Sequence, residues 1–553
     1  HRYIHDPAGQ LIKSIDPLEQ AIAFTYDPAG RLTAKQFESE EQETFTWDPA
    51  GNLIAFESPD ARVERLFDPD GRMILETSSG FEVACEYDGT GLRTVRTTSH
   101  GNRIAYTHDA NGQVSAITIN EQPPVEIERN SVGQITSEKF SEQLSRTYRY
   151  DGEGRLTCQQ ITSPLHCSER TFQYDAAGNR TAKTDSSKGN RQFTYDPMDR
   201  ITESIDPMDQ VKQYNHDPAG DLLNHLSEPQ KGLRTATRKN RTYRFEAAGN
   251  LAEREQPKGL TRFTWDQQNR LCALCTPEGR TIDMAYDALG RRTKKSVNGE
   301  RTTFTWDGDA LLSEKYEDQP AREYVYYPGT FEPLVAVDAT GQIYYYHNDP
   351  NGPPQELTRP DGTPVWSATY DALARVEEVI INKVFQPLRL QGQYLDPETG
   401  LCYNRHRYFA PHICAFISQD PLGLAAGENV YAYAPNVWGW VDPLGLSWYD
   451  NWHFEGRDAL NNNIPATAEQ AEPAGGTLLP PEMSKYHDNG IGETEQKFIF
   501  PDGREAVYDG DTGQLVTDPR FKGTYNYVNP AELSWNPLKW PEIYWRGLGH
   551  FYT

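Results

Sequence analysis

Two copies of one short motif contain acidic side chains that could act together. Asp420 begins the first copy of Asp-Pro-Leu-Gly-Leu, and Asp442 begins the second. The two aspartates are 22 residues apart, so only folding can bring them together. Two carboxylates that share a site can hold one proton between them, and such an acid–base pair can activate water against a peptide bond. The alternative is that each aspartate only begins an Asp-Pro turn.

A second set of candidates lies in the last part of the chain. It consists of His487, Glu493, Glu495, Arg504, Glu505 and His550. Histidine and glutamate can serve as acid and base, and arginine can stabilise phosphate charge, which together would suit RNA cleavage. The alternative is that these are ordinary exposed polar residues. The tail shows no phosphate-binding loop, nucleophile elbow or zinc pattern.

The cysteines do not indicate a metal or a disulfide framework. Seven cysteines are scattered along the chain, an odd number that does not suit a secreted disulfide scaffold. Cys272 and Cys275 form a Cys-x-x-Cys pair, but no second pair or histidine pair follows at zinc spacing. We therefore expect no metal site and no cofactor.

Charge and composition exclude several classes of protein. Asp and Glu number 80 against 54 Lys and Arg, a net charge of −26, which argues against a chain that coats nucleic acid or an anionic membrane. Aromatic residues make up 11% of the chain, too many for an acidic disordered protein. No apolar run approaches the roughly 18 residues of a spanning helix, so we expect no membrane span.

An internal repeat is the strongest pattern in the sequence. An aspartate that usually follows an aromatic residue or histidine recurs at intervals of 21, 21, 20, 20 and 21 residues from Asp6 to Asp109. The repeated aspartates are Asp6, Asp27, Asp48, Asp68, Asp88, Asp109, Asp151, Asp175, Asp196, Asp217, Asp266, Asp287 and Asp307. Asn130 and Glu246 occupy the same position in two further units, which gives about fifteen units.

Each unit predicts a β-hairpin. Segments such as Phe-Thr-Tyr alternate in the manner of a half-buried strand. Asp-Pro-Ala-Gly is typical of a type I turn, and a second strand follows at once. Successive hairpins should join into one long antiparallel sheet. A repetitive array of β-sandwiches is the alternative, but the steady period favours a continuous coiled wall.

These repeats and the segments after them resemble a known family. The repeats resemble those of Rhs and teneurin-like YD-repeat proteins, and the segment LQGQYLDPETGLCYNRHRYF through the second DPLGL resembles the Rhs-associated core. The resemblance covers roughly residues 1–446. It implies a mostly β fold, with YD-repeat hairpins that spiral into a hollow, cocoon-like shell related to Tc-toxin BC components and teneurins.

The resemblance also implies that the chain cuts itself. In that family the final Asp-Pro-x-Gly-Leu marks the end of the shell, and the chain is cut after the leucine. The corresponding cut here lies between Leu446 and Ser447, with Asp420 and Asp442 as an aspartyl-protease-like pair.

A departure from the family pattern concerns the positive charge beside the aspartates. The family often has an arginine before the first aspartate, where this chain has Gln419. Arg405 or Arg407 is the candidate to supply that charge instead.

Three domains follow from these patterns. Residues 1–307 form the YD-repeat shell, residues 308–446 the Rhs-associated core, and residues 447–553 a small α+β toxin domain. Within the tail, the sequence predicts a linker at Pro465–Pro481. It then predicts strands at Phe498–Phe500, Ala506–Tyr508 and Gln514–Val516. Because the chain begins inside a repeat, we expect it to be a piece of a longer protein.

The resemblance implies a secreted effector of competition between bacteria that is delivered by type VI secretion. The expected partners are its own cleaved tail held in the shell, a VgrG/PAAR spike and a chaperone that bind an upstream region, and an immunity protein that binds the toxin. The protein would be made in the bacterial cytoplasm and act in the cytoplasm of the target cell.

We expect the tail to be a nucleic-acid-directed, RNase-like hydrolase. The alternatives are a membrane-damaging or protein-modifying toxin, such as an ADP-ribosylating enzyme, and a teneurin-like adhesion shell without a toxic tail.

Overall fold

The strands of the repeat region form a meander in which each strand pairs with the strands before and after it. The computed structural model describes residues 1–222, 225–227, 234–238 and 240–446, together with short strands in the later part of the chain. It divides into two units, residues 1–130 with 135–453 and residues 131–134 with 454–553.

The first sheet has 21 antiparallel strands. They are β1 (Arg2–His5), β2 (Leu11–Ile15), β3 (Ala21–Tyr26), β4 (Leu32–Phe37), β5 (Gln42–Trp47), β6 (Leu53–Glu57), β7 (Arg62–Phe67), β8 (Met73–Ser78), β9 (Phe81–Tyr87), β10 (Arg93–Thr98), β11 (Arg103–His108), β12 (Val114–Ile119), β13 (Val125–Arg129), β14 (Ile135–Lys139), β15 (Ser145–Tyr150), β16 (Leu156–Thr162), β17 (Cys167–Tyr174), β18 (Arg180–Asp185), β19 (Gly189–Tyr195), β20 (Ile201–Ile205) and β21 (Val211–Gln213).

The second sheet has 16 antiparallel strands in the same sequential order. They are β22 (His225–Ser227), β23 (Thr235–Arg238), β24 (Arg241–Phe245), β25 (Leu251–Gln256), β26 (Gly259–Trp265), β27 (Leu271–Cys275), β28 (Thr281–Tyr286), β29 (Arg292–Val297), β30 (Glu300–Asp307), β31 (Ala310–Tyr316), β32 (Arg322–Tyr326), β33 (Pro333–Val337), β34 (Ile343–Asn348), β35 (Pro354–Thr358), β36 (Pro364–Tyr370) and β37 (Val376–Asn382).

The mostly β fold built from hairpins is confirmed, but the described strands form two sheets instead of one uninterrupted wall. The ladder stops after β21 and resumes at β22. The repeat is irregular at this point, because the unit from Asp217 to Glu246 is 29 residues long instead of about twenty.

The predicted Asp turn closes the hairpins. At Asp27 the backbone N–H of Gly30 donates to the aspartate carbonyl at 2.9 Å, which is the hydrogen bond of a four-residue turn. The Asp27 carboxylate accepts the N–H groups of Ala29 and Arg31, each at 2.9 Å. Gly30 has a φ of 79°, a left-handed conformation that glycine adopts without steric cost. The turn chemistry therefore explains both the aspartate and the glycine of the repeat.

The aromatic residue before the aspartate ties each unit to the previous one. The Tyr26 hydroxyl donates to the Leu11 carbonyl at 2.8 Å, and the Trp47 indole donates to the Leu32 carbonyl at 2.7 Å. Arg31, which ends the turn, pairs with Asp27 and also donates to the carbonyl of Asp48 in the next unit. These contacts recur along both sheets and give the repeat its aromatic-Asp signature.

The two sheets pack on each other through apolar and charged side chains. Ile104 and Ile117 of the first sheet lie in one buried cluster with Val325 and Val335 of the second. Charged links cross the same interface, and Asp307 shows one of them. It begins a tight hairpin, and its carboxylate binds Arg93 of the first sheet at 2.6 Å. Further links join Glu76 to Arg291, Glu43 to Arg270, and Asp349 to Arg180 and Lys183.

After the second sheet the chain folds into shorter elements that carry the candidate site. A four-stranded antiparallel sheet contains β38 (Tyr394–Asp396), β39 (Leu401–Asn404), β40 (Arg407–Ala410) and β41 (Ala415–Phe416). A 3₁₀ helix spans Gly423–Ala426, and β42 (Trp440–Val441) pairs with β43 (Tyr449–Asp450).

The described part of the tail contains one small sheet. Strand β44 (Thr477–Leu478) pairs with β45 (Gln496–Ile499), which forms a hairpin with β46 (Glu505–Tyr508). The predicted hairpin around Pro501–Gly503 is therefore found, whereas β44 falls within the predicted linker. The predicted strand Gln514–Val516 and any helix of the tail lie outside the described residues. The domain boundary at residues 446 and 447 stays a prediction.

Among the described residues, no helix has the length and apolar character needed to cross a membrane.

Candidate active site

A tight turn between two buried strands positions the central arginine of the site. Strands β39 and β40 pair with Asn404 opposite Arg407, so only two residues form the connection. Arg405 takes a φ of 59° within this turn. Arg407 is the first residue of β40, and its side chain is almost fully buried, with its guanidinium 3.6 Å from the centre of the Phe416 ring. The arginine is therefore held by both the strand and the ring.

The two predicted aspartates converge on this arginine. Nη2 of Arg407 lies 2.8 Å from Oδ2 of Asp420 and 3.3 Å from Oδ2 of Asp442. Folding thus joins two carboxylates that are 22 residues apart in the sequence. One guanidinium balances one negative charge, so the group is electrically neutral when a single proton resides on the carboxylate pair.

Burial makes that shared proton favourable. Asp420 is 6% exposed and Asp442 is 0% exposed. Burial raises the pKa of Asp420 to about 7, although Arg407 and the N–H of Leu422 oppose the shift and Asp442 adds to it. Burial also raises the pKa of Asp442, against the opposing effects of Arg407 and two backbone N–H groups. At neutral pH the site can therefore contain an acid and a base side by side.

The motif aspartates differ from aspartates that only close a turn, such as those of the repeats. Asp420 and Asp442 do close turns, because the N–H of Gly423 donates to the carbonyl of Asp420 and the N–H of Leu446 to the carboxylate of Asp442. The repeat aspartate Asp196 closes the same kind of turn, but its partner is its own Arg200 and its pKa is lowered. The two motif aspartates, by contrast, combine the turn with deep burial, a shared arginine and a raised pKa.

The peptide before the predicted cut is bound at the same site. Oδ1 of Asp442 accepts the N–H of Leu446 at 2.9 Å. Arg407 donates through Nε to the carbonyl of Gly445 at 2.6 Å. Leu446 is 2% exposed. The residue whose carboxyl side is predicted to be cut is thus enclosed next to the carboxylates. Ser447 lies outside the described residues.

Of the two arginines predicted as charge partners, the structure brings only Arg407 to the carboxylates. Nε of Arg405 binds Oδ1 of Asp309 at 2.6 Å, and Nη2 donates to the carbonyl of Leu289 at 2.9 Å. The left-handed backbone at Arg405 turns its side chain away from the direction that Arg407 takes. Gln419, the family's usual arginine position, is exposed.

Sequence reasoning missed several residues that contact the motif. Asn404 donates through Nδ2 to the carbonyl of Asp442 at 2.8 Å, and the backbone N–H of His406 donates to the carbonyl of Leu444 at 3.1 Å. The hydroxyl of Tyr433 accepts the N–H of Asp442 at 3.2 Å. No local sequence pattern indicates these contacts, since the residues they join are 9 to 38 positions apart in the chain.

The remaining candidates are not part of this site. His487, Glu493, Glu495, Arg504 and His550 lie outside the described residues, and of Glu505 only its place at the start of β46 is described.

The cysteine pair is found within one strand. Cys272 donates through its thiol to the carbonyl of Thr264, and Cys275 is exposed. In the described ranges no group of three or more His, Cys, Asp or Glu side chains could hold a metal ion.

Comparison with known proteins decides the family. Residues 124–430, more than half of the chain, match the family model described as the teneurin YD-shell, and residues 5–36 match the RHS repeat. The chain belongs to the teneurin YD-shell family. The predicted relationship to Rhs and YD-repeat proteins is confirmed.

Curated relatives of this YD-shell protein carry toxin names. Double-stranded DNA deaminase toxin A of Burkholderia cenocepacia is 34% identical over 318 residues, which is 50% of this chain and 22% of the relative. Toxin protein Tse5 of Pseudomonas aeruginosa is 29% identical over 355 residues, 50% of this chain and 27% of the relative. The chain thus spans about a fifth to a quarter of the length of these relatives.

Solved structures agree with the shell fold. The Tc holotoxin pore of Photorhabdus luminescens superposes with a TM-score of 0.67 at 16% identity, over 80% of this chain and 27% of that chain. A likeness at this identity concerns the fold alone.

Proposed function

We propose that the protein is part of an Rhs-family toxin that cuts itself between Leu446 and Ser447. Residues 1–446 would form the shell wall and the protease, and residues 447–553 would be the released toxin. The observation that carries this proposal is the contact of one buried guanidinium, Arg407, with both Asp420 and Asp442. The toxin names of the relatives and the Tc-like fold support it.

We assign the acid role to Asp420 and the base role to Asp442. Asp420 has the pKa of about 7 that suits a proton donor at neutral pH. Asp442 accepts hydrogen bonds from the N–H of Leu446 and from Arg407, which favour its ionised form.

The reaction then balances without another reactant besides water. Asp442 takes a proton from water while the water oxygen bonds to the carbonyl carbon of Leu446. Asp420 gives its proton to the nitrogen of Ser447, and the bond between that nitrogen and the Leu446 carbon breaks. The products are a C-terminal carboxyl group at Leu446 and a free amine at Ser447.

Mass spectrometry of the purified protein tests the cut. We expect two chains that co-elute under native conditions, with masses of residues 1–446 and 447–553, and a new N-terminus at Ser447. A single chain with the mass of all 553 residues would overturn the proposal. Cleavage at another bond would reject the assignment of Leu446 and Ser447.

For the tail we propose a nucleic-acid-directed hydrolase of the RNase type. Two relatives support a nucleic-acid target by name, the double-stranded DNA deaminase toxin A and the probable deoxyribonuclease RhsA of Dickeya dadantii. The acid–base candidate is His487. A membrane-damaging or protein-modifying toxin, and a teneurin-like adhesion shell without toxicity, are the competing functions.

The proposed setting is competition between bacteria. The toxin would be made in the cytoplasm, leave by type VI secretion with the help of a spike and a chaperone, and act in the cytoplasm of the target cell. An immunity protein would bind the tail in the producing cell. The similarity to relatives named as toxins, such as Tse5, supports this setting.

Expression of residues 447–553 in bacterial cytoplasm tests the tail. We expect growth arrest with degraded RNA, relieved by His487→Ala. Arrest with intact nucleic acids, or undiminished toxicity of the variant, would reject the hydrolase mechanism. Normal growth with a stably produced tail would favour the adhesion shell.

A further inference from the structure

The turn that carries Arg407 holds the backbone of the motif as well as its carboxylates. Three donors from this turn bind three carbonyls of residues 442–445. Asn404 Nδ2 binds the carbonyl of Asp442, the His406 N–H binds that of Leu444, and Arg407 Nε binds that of Gly445, at 2.8, 3.1 and 2.6 Å. We call the donor set Asn404, His406 and Arg407 the carbonyl cradle.

Two glycines bring the motif this close to its surroundings. A Cβ atom on Gly392 would lie 1.9 Å from the carbonyl oxygen of Pro443, far inside van der Waals contact. A Cβ atom on Gly445 would lie 2.6 Å from the carbonyl oxygen of Asn404. The motif therefore passes between Gly392 on one side and the cradle on the other.

We infer that the carbonyl cradle and Gly392 position the Leu446 peptide bond for the carboxylate pair, and so determine which bond is cut. This inference rests on the proposed self-cleavage. A carboxylate pair can attack only a peptide that is held at a fixed distance and orientation, and misplacement by an ångström can cost a hundredfold in rate. The anchors on the carbonyls of Asp442, Leu444 and Gly445 fix that register, and Leu446 is the next residue. Asn404, His406 and Gly392 are thus positioning residues.

A pair of glycine variants isolates the steric part of this inference. Gly392 and Gly400 have similar left-handed φ values of 75° and 69°, but a Cβ on Gly400 has nothing within 4 Å. Gly392→Ala and Gly400→Ala should therefore cause similar backbone strain, and only the first should displace Pro443. We expect Gly392→Ala to slow cleavage at least about tenfold and Gly400→Ala to leave the rate within about twofold.

A pair of asparagine variants isolates the hydrogen bond. Asn404 and Asn348 are both fully buried, and each donates through Nδ2 to a backbone carbonyl at 2.8 Å, the carbonyl of Pro333 in the case of Asn348. Asn348 Nδ2 also donates to Oε1 of Glu332 at 2.9 Å, so Asn348→Leu should destabilise the fold at least as much as Asn404→Leu. Only Asn404→Leu should slow cleavage, again at least about tenfold.

The cleavage rates of both pairs of variants are measured in the full chain during cell-free synthesis, by following the fraction of intact chain over time. The midpoint of thermal unfolding is recorded for each purified variant. Slow cleavage in Gly392→Ala and Asn404→Leu, with normal cleavage in Gly400→Ala and Asn348→Leu, supports the inference. Equal rates within each pair overturn it while the native chain still cuts itself. If the native chain is never cut, the proposed function has failed instead, which is a distinguishable result.

Discussion

Asp442 accepts, through Oδ1, the backbone N–H of Leu446 at 2.9 Å. The carboxylate proposed to act on the chain and the residue whose peptide bond is proposed to be cut therefore belong to one turn. Such a turn supplies the substrate in cis, at an effective concentration that no separate peptide would reach. The second carboxylate and the arginine come from other segments, and only the folded shell brings them to this turn.

We predict that Asp420→Asn and Asp442→Asn each abolish self-cleavage, with rates at least about a hundredfold lower, because an acid–base pair acts as a unit. The asparagine side chains retain an oxygen that can close the turn, so the shell should remain folded. Intact and cut chains are quantified on denaturing gels after native purification.

Asp196→Asn is the matched control for these variants. Asp196 closes the same kind of turn, with N–H groups of Met198 and Arg200 on its carboxylate, but it lies in the repeat region. The Asp196→Asn chain should cut itself at the native rate. Normal cleavage in both Asp420→Asn and Asp442→Asn would show that these aspartates only close turns and do not take part in the reaction.

The two candidate arginines should respond differently to replacement by lysine. Arg407→Lys cannot reproduce the separated contacts of Nε with the Gly445 carbonyl and of Nη2 with the two carboxylates, because the three N–H donors of an ammonium radiate from one nitrogen. We expect cleavage to slow at least about tenfold. Arg405→Lys can still pair with Asp309 and should cleave within about twofold of the native rate. The measurement is the time course of the intact chain, and a larger loss in Arg405→Lys would contradict the assignment of Arg407.

Much of the repeat region could be predicted because its causes are local. Asp27, Gly30 and Arg31 lie within five residues, and their turn depends on hydrogen bonds between near neighbours. The hairpin of β45 and β46 was predictable for the same reason. The break after β21 was harder to predict, because it depends on how a lengthened unit disturbs pairing with its neighbours.

The candidate site was predictable only in part. The resemblance to the Rhs-associated core pointed to Asp420 and Asp442, but sequence spacing left Arg405 and Arg407 as equal candidates. Residues two apart in a regular strand point to the same side. The left-handed φ of Arg405 breaks that rule, and this conformation follows from the tight β39–β40 turn. The long-range contacts of Asn404 have no signature in the sequence.

Charged links between the two large sheets should matter greatly for stability. Asp349 is fully buried and binds Arg180 at 2.7 Å and Lys183 at 2.9 Å. Asp349→Asn would leave both cations without a full counter-charge, so we expect a loss of about 3–5 kcal/mol in the free energy of unfolding. Equilibrium urea denaturation of the purified protein, followed by tryptophan fluorescence, measures it.

Asp338→Asn provides the comparison for Asp349→Asn. Asp338 is a partly exposed turn residue that accepts the N–H of Thr340 and the hydroxyl of Tyr344, each at 2.8 Å. Its replacement should cost only about 1 kcal/mol. Equal losses at the two positions would show that the links between the sheets contribute no more than an ordinary turn.

The pH dependence of self-cleavage follows from the raised pKa of Asp420. Below a pH of about 7 Asp420 holds the proton that the leaving nitrogen needs, and above it the acid form is lost. The rate should therefore fall above about pH 7 and approach a tenfold loss per pH unit, with an apparent pKa that belongs to the coupled pair. At low pH, protonation of Asp442 should remove the base and lower the rate again.

A pH jump measures this profile. Intact chain is enriched by cell-free synthesis at pH 8.5, and samples are then moved to buffers from pH 5.5 to 8.5 while the intact fraction is followed. Asp196→Asn should give the native profile, since the Asp196 carboxylate pairs with Arg200 and is not an electrostatic influence on either carboxylate of the pair. A rate that is flat or rises from pH 7 to 8.5 would mean that a protonated Asp420 is not the acid of the reaction. The two-carboxylate mechanism would then fail even if cleavage still occurred after Leu446.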